Sequence, residues 1–125
     1  MARLLLVEDN PLNSDALCRL LTRHGHQVRH APDGPTALAM VERELPDLLL
    51  LDIGLPGMDG HAVARALRAR PASRALPILA LTAHATAQDR EAALASGCDG
   101  FEVKPISMPR LLPLIQALLS EREGL

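Results

Sequence analysis

Residues 47–60, DLLLLDIGLPGMDG, decide how this chain is read. Four leucines carry the backbone along a buried strand and deliver Asp52 where the apolar pattern stops and Gly54, Pro56, Gly57 and Gly60 take over. An acid at the exit of a core strand is placed to do chemistry. The plainer alternative is an aspartate that ends the strand and hydrogen-bonds into the following turn, as Asp often does. The segments on either side decide between the two.

Upstream, Arg3–Val7 is a short apolar run closed by Glu8, Asp9, Asn10 and Pro11, an acidic strand exit followed by a helix start with proline near its first position. Leu12, Leu17, Leu20 and Leu21 recur at helical spacing until Gly25, which predicts a first helix over about 12–24. HQVRHA around Val28 is a more polar strand and an expected sheet edge. After the turn at 32–35, Ala37, Leu38, Met40, Val41 and Leu45 define a second helix.

Downstream, Val63, Ala64 and Leu67 set against Arg65, Arg68 and Arg70 make an amphipathic third helix halted by Pro71. Residues 77–81 form a fourth strand ending at Thr82, and Thr86 with Asp89 opens a fourth helix that stops at Gly97. Residues 101–103 are a short fifth strand and a fifth helix follows Ser107, with Pro113 inside its pattern. That proline should remove one backbone bond, at up to ~3 kcal/mol if the helix begins as early as Met108. Five apolar strands alternating with five helices predict an α/β fold, a doubly wound (βα)5 unit with a five-stranded parallel sheet covered on both faces. Residues 121–125 read as a loose tail.

At 125 residues the chain is expected to be one domain over 1–125, able to bury roughly two thirds of its unfolded surface without disulfides or a structural metal. A formal charge of −2 and the lack of any basic run argue against nucleic acid as direct partner. No apolar stretch approaches the ~20 residues of a membrane span, and MARLLLVED places acids directly after its apolar run, unlike a signal peptide. A cytoplasmic protein is therefore expected, and Met1 with the ragged tail suggests a complete chain. Cys18 and Cys98 sit in no ligand spacing and read as small buried or half-buried thiols. Of 13 basic residues only Lys104 is a lysine, and Phe101, three residues before it, is the sole aromatic. A point-charge ammonium does what a planar guanidinium cannot.

In such a fold ligands collect at the carboxyl ends of the strands. What the strands deliver there is Glu8 and Asp9 from the first, Asp52 from the third, Thr82 from the fourth and Lys104 from the fifth. Each has an ordinary explanation alone. Together they form a carboxylate cluster that repels itself unless a cation neutralises it, with one ammonium and one hydroxyl opposite. Hard oxygen donors with open positions suit Mg²⁺.

On these residues the chain resembles, over essentially its whole length, a receiver domain of the two-component response regulators. The matching pieces are LLLVEDN at 4–10, LLLLDIGLPGMDG at 48–60, ALTAHA at 80–85 and GFEVKPIS at 100–107. The wording EDNPLNSDAL and GCDGFEVKPISMPRLL is similar to that of single-domain receivers of the cell-cycle type and of receivers in hybrid histidine kinases. The resemblance implies a flavodoxin-like, CheY-like fold with strand order 2-1-3-4-5. It implies that Asp52 is the phosphorylated nucleophile and that Mg²⁺, or Mn²⁺ in its place, is held by Asp9, by Asp52, by the backbone carbonyl of Gly54 and through water by Glu8. It further implies that Lys104 binds the phosphoryl oxygens before a proline that is usually cis, that Thr82 is the hydroxyl switch and that Phe101 is the switch aromatic. Departures from the family's wording are Phe for Tyr at 101, Glu for Asp at 8, Pro113, and His84 two past the switch threonine. None removes a catalytic group.

The function so implied is that of a phosphoacceptor in a phosphorelay. A phosphohistidine on a histidine kinase or phosphotransfer protein is the donor, and the face of helix four, strand five and helix five is the output surface for a downstream protein in trans. Such a protein is no enzyme beyond catalysing its own phosphorylation and dephosphorylation, and is expected as a monomer or weak dimer. Three rivals fit less well. A flavodoxin would want a hydroxyl-rich phosphate loop where Glu8 and Asp9 stand, and aromatics to stack on the flavin. A Mg²⁺-dependent aspartyl phosphohydrolase would want a second acid at the position of Gly54. A pseudo-receiver that only binds proteins would normally have lost Asp52 or Lys104.

Overall fold

Every position in the leucine-rich runs is apolar, so their two faces separate only through what each residue packs against. The computed structural model describes residues 2–55, 57–84 and 86–123, with side chains as far as residue 121. Its elements are β1 (Arg3–Val7), α1 (Pro11–Arg23), β2 (Gln27–Ala31), α2 (Gly34–Arg43), β3 (Leu48–Asp52), α3 (Gly60–Ala69), β4 (Ile78–Thr82), α4 (Ala87–Ser96), β5 (Gly100–Val103) and α5 (Met108–Glu123). Leu4, Leu6, Leu48, Leu50, Leu79 and Leu81 face α1 and α5, sharing a core with Leu21, Leu111 and Ile115. Their neighbours Leu5, Val7, Leu49, Leu51, Ile78 and Ala80 face the other way, onto Val41, Val63, Leu67 and Ala93 of α2, α3 and α4. This period-two alternation, with both faces apolar, is what a parallel sheet buried between helices requires.

The five strands pair in parallel in the order β2-β1-β3-β4-β5. β1 therefore lies against β3, with Val7 level with Leu51, and the order reverses between them. That reversal opens the crevice in which α/β sheets bind ligands. β2, as its polar sequence suggested, and β5 are the edges, and no residue of β5 is fully buried.

Helix starts follow the capping residues. Asn10, Asp33, Asp59 and Thr86 each accept backbone N–H bonds at the start of α1, α2, α3 and α4. Gly97 ends α4 in the left-handed region at φ +112°, a conformation glycine adopts without penalty. Gly60 serves a different need: a Cβ there would lie 2.7 Å from the Asp52 carbonyl oxygen and the Ile53 Cα, so only glycine lets α3 begin against the exit of β3.

The structure refines the sequence reading at the limits of several elements. The third strand, expected over 47–51, is observed as Leu48–Asp52, because Asp47 is held before the strand by exchange with Arg3, donating its N–H to the Arg3 carbonyl (2.7 Å) and accepting the Arg3 N–H on its carboxylate (2.7 Å). A 3-10 turn at Pro71–Ser73 follows α3, where only a stop was anticipated. α5 does begin at Met108 and runs through Pro113. It continues to Glu123, so 121–123, read as part of a tail, have helical backbone. Met1, Pro56, Ala85, Gly124 and Leu125 lie outside the described residues. Among the described residues no helix is long and apolar enough to cross a membrane.

Candidate functional site

Asp52 is the last residue of β3, and its carboxylate is 8% exposed. Its Oδ1 accepts the N–H of Gly54 at 3.0 Å, so the turn bond that a bland strand-ending aspartate would make is present. The other oxygen has a different partner: Oδ2 lies 3.2 Å from Lys104 Nζ. The same ammonium donates to Glu8 Oε2 at 3.0 Å, across 96 residues of sequence. Glu8 Oε1 accepts the N–H of Asn10 at 3.1 Å, which leaves Glu8 fully engaged at 4% side-chain exposure.

Asp9 completes the group from the exposed side. One carboxylate oxygen each from Glu8, Asp9 and Asp52 lies within 4.8 Å of the others. Three acids and one ammonium leave this crevice two charges negative, and two of the acids are out of water. The pKa directions reflect that crowding. Burial pushes the Glu8 carboxyl above its ordinary range and Asp52's charge acts in the same sense, while the bonds from Lys104 and Asn10 offset only part of it. Burial alone would lower the Lys104 ammonium, but the Glu8 hydrogen bond and the charges of Asp52 and Glu8 outweigh it and hold it above the usual lysine range. The two partners move in the same sense for different reasons: Lys104 is served by two carboxylates, whereas Glu8 is buried beside a second acid and shares its one ammonium with it.

The donor set fits a small hard divalent cation. It offers carboxylate oxygens only, without thiolate or imidazole, at a spacing one ion can span, with one ligand exposed so that waters can fill the remaining positions. Gly54 follows on the turn, and a Cβ built there would sit in ordinary contact with Asp52 Oδ1 at 3.7 Å, so Gly54 lies directly beside the carboxylate.

Thr82, the last residue of β4, is buried at 5% exposure and its hydroxyl oxygen accepts the N–H of His84 at 3.2 Å. Its carbonyl accepts the N–H of Lys104 at 2.7 Å, which ties the ends of β4 and β5 together. The Lys104–Pro105 peptide bond is cis. Phe101 on β5 is level with Ala80, packs partly into the core, and carries the Arg90 guanidinium of α4 over its ring at 5.5 Å from the centroid. Beside Lys104, a cleft of about 510 Å³ opens between α1 and the segment after β5, lined by Leu17, Leu20, Leu81, Ile106 and Met108. Cys18 and Cys98 stay apart from all this, and burial pushes both thiols up, as inert packing groups would have it.

All the acids and the lysine singled out in the sequence thus meet in one crevice, with Thr82 at its rim and Phe101 on the neighbouring edge strand. Sequence reasoning missed Arg90, whose partner is a ring face, and His30, whose partner is a backbone carbonyl. Neither contact leaves a signal in spacing.

Comparison with known proteins agrees with this geometry. The family model described as response regulator receiver domain matches residues 4–116. The chain is 43% identical over 117 residues to the response regulator PleD of Caulobacter vibrioides, covering 94% of this chain and 26% of PleD. It thus spans about a quarter of that relative. It is 33% identical over 120 residues to protein PilH of Pseudomonas aeruginosa, covering 96% of this chain and 99% of PilH. Among solved structures, the receiver domain of a sensor histidine kinase from Pseudomonas aeruginosa PAO1, with a magnesium ion coordinated in its active-site cleft, superposes with a TM-score of 0.89 at 36% identity. That match covers 95% of this chain and 98% of that one. Sheet order, acidic crevice, paired lysine and a match over nine tenths of the length converge on one conclusion: the chain belongs to the response regulator receiver domain family.

Proposed function

We propose that the chain is the phosphoacceptor of a two-component phosphorelay, taking a phosphoryl group from a phosphohistidine onto Asp52. The observation that carries this reading is the single ammonium of Lys104 shared between Glu8 Oε2 (3.0 Å) and Asp52 Oδ2 (3.2 Å), with Asp9 in the same cluster. Gly54 occupies Oδ1, so Oδ2 is the oxygen that faces an incoming phosphorus. As the bond from phosphorus to the donor imidazole nitrogen breaks, the bond to Oδ2 forms, and the charge spread over the equatorial oxygens lies within reach of Lys104. Such a loose transition state needs positioning and charge cancellation more than it needs a base. A divalent cation, Mg²⁺ or Mn²⁺, would be held by Asp9, Asp52 and the Gly54 carbonyl, and through water by Glu8. When bound it supplies charge neutralisation at the phosphoryl oxygens and orientation of the donor.

In the unmodified chain Lys104 and Glu8 keep the crevice ordered, and once Asp52 has become an acyl phosphate Lys104 exchanges a carboxylate partner for a phosphoryl oxygen. The Thr82 hydroxyl accepts the His84 N–H and, among the described residues, donates to no partner, so its hydrogen is free for the phosphoryl group. Its inward shift leaves room for Phe101, which alters the face of α4, β5 and α5 offered to a downstream protein. The exposed Leu12 and Leu20 on α1, next to the apolar cleft beside Lys104, suit the landing of a histidine-bearing donor. Receiver domains work between histidine kinases and effectors, and this chain is assigned that place.

Incubation with acetyl phosphate tests the reading. One acid-stable, base-labile phosphoryl group should appear only with Mg²⁺ present, and Asp52→Asn should abolish it. Labelling of that variant at the wild-type rate, or labelling indifferent to chelator, overturns the assignment.

A further inference from the structure

The backbone of Glu8 is clamped on both sides by β2. Its N–H donates to the Ala31 carbonyl at 3.1 Å, a continuation of the β1–β2 ladder that any residue pair could make. Its carbonyl oxygen, however, lies 2.7 Å from Nε2 of the His30 side chain. A carbonyl can only accept, so Nε2 carries the hydrogen and donates it. This is a side-chain bond from an edge strand to the peptide group that joins Glu8 to Asp9.

The plane of that peptide sets the direction in which Asp9 leaves the backbone. Glu8 is fixed four times over, by Ala31, His30, Asn10 and Lys104. Asp9 is exposed, and no hydrogen bond or ion pair to its carboxylate is found among the described residues. Its aim therefore depends on the peptide before it and on the Asn10 cap after it, where Asn10 Oδ1 accepts the N–H groups of Leu12 (2.9 Å) and Asn13 (3.2 Å). His30 itself is exposed and fills no part of either core. Packing does not account for its presence there, whereas the 2.7 Å bond gives it a definite task.

We infer that His30 is a positioning residue for the cation site: by holding the Glu8–Asp9 peptide plane from β2, it pre-aims the Asp9 carboxylate at the point where Glu8 and Asp52 converge. A ligand already aimed loses less freedom on binding, so partners outside the coordination sphere are felt in metal affinity. The inference rests on the phosphoacceptor reading, in which Asp9 binds Mg²⁺ directly.

The test is Mg²⁺ titration of the wild-type chain, His30→Leu and His30→Gln by calorimetry, with denaturant melts of each in chelator. His30→Leu should weaken Mg²⁺ binding by about tenfold while its metal-free melt stays at the wild-type midpoint, because an exposed side chain is lost. His30→Gln, whose amide N–H can replace the donor, should recover most of the affinity. Amide resonances of Asp9 and Asn10 in the metal-free protein should move in the leucine variant and return in the glutamine variant. Equal affinity in His30→Leu and wild type overturns the inference, as does a loss that tracks a lowered metal-free midpoint and is not rescued by glutamine. Failure of the wild-type chain to bind Mg²⁺ at millimolar concentration would instead remove the phosphoacceptor reading on which the inference stands.

Discussion

Phe101 is half-buried on an edge strand, yet it packs on Ala80 and its neighbours from one side and under Arg90 from the other. A guanidinium over an aromatic face at an exposed site contributes about 0.5–1 kcal/mol. That is small enough for a phosphoryl-bound Thr82 to outbid, and large enough to favour one ring position beforehand. Since Phe101 is the only aromatic residue apart from five histidines, its ring protons can be followed by NMR without labelling. They should shift when acetyl phosphate and Mg²⁺ are added, and Arg90→Ala should displace their starting position and not abolish Asp52 labelling. Ring resonances that stay fixed through phosphorylation would make Phe101 a plain packing group and route the switch elsewhere. At this scale the sequence exposed the residues that the strands deliver, because a strand end is legible and Glu8, Asp52, Thr82 and Lys104 each sit at one. Arg90 and His30 were not legible, since each acts on a ring or a carbonyl brought near only by the tertiary fold.

α5 carries a proline where a helix least tolerates one. With Leu111 N–H bonded to the Ser107 carbonyl at 2.8 Å, the helix is under way from Met108, and Pro113 is its sixth residue, past the first turn. The missing N–H deprives the Pro109 carbonyl of its helical partner, a loss made tolerable because both prolines are exposed and water can reach the gap. Pro113→Ala should raise the urea midpoint, adding about 1–3 kcal/mol of stability, with the acidic crevice unaffected. A midpoint unchanged or lowered would mean that the bend Pro113 imposes is what fits Leu111 and Ile115 to the sheet. Element limits were legible wherever a cap or a stop marked them, as Asn10, Thr86 and Gly97 do. Arg68 illustrates the remainder. In the α3 pattern it read as one of a solvated arginine stripe, but it is half-buried and makes five hydrogen bonds, to the carbonyls of Ser73, Arg74, Leu76 and Gly97 and to Asp99. It thereby satisfies the carbonyls left over at the end of α4 and along the unanticipated turn after α3, a demand that exists only once those segments have met.

Across the whole molecule, the sheet order brings the ends of β1 and β3 side by side, and the crevice so formed concentrates negative charge in a chain whose overall balance is only −2. The alternating strands and helices made the fold class legible, while the strand order followed from family resemblance, because uniformly apolar strands look alike to one another. The charge concentration has a cost that depends on pH and metal. A carboxyl raised in the fold, as Glu8 is, contributes stability that is fully present below the ordinary glutamate range and is lost as pH rises through the raised value. At neutral pH it is therefore a liability in the metal-free chain. Lys104, also raised, contributes stability that persists through neutrality and is lost only as pH climbs through its raised value, above the usual lysine range. Asp52→Asn removes one of the three negative charges and relieves Glu8, while Lys104 keeps its shorter bond to Glu8 at 3.0 Å. In chelator at pH 7 this variant should melt higher than wild type, by roughly 4 °C for each ~1 kcal/mol of relief in a domain of this size. Mg²⁺ should raise the wild-type chain by about 1.4 kcal/mol at ten times its Kd, and should raise Asp52→Asn by much less, since a ligand has gone. The gap between the two chains should thus narrow, or reverse where the relief is less than the metal's contribution, on going from chelator to Mg²⁺. If Asp52→Asn is the less stable protein without metal, the Lys104 pair outweighs the repulsion among the acids. If both chains gain equally from Mg²⁺, the ion is not bound by Asp52.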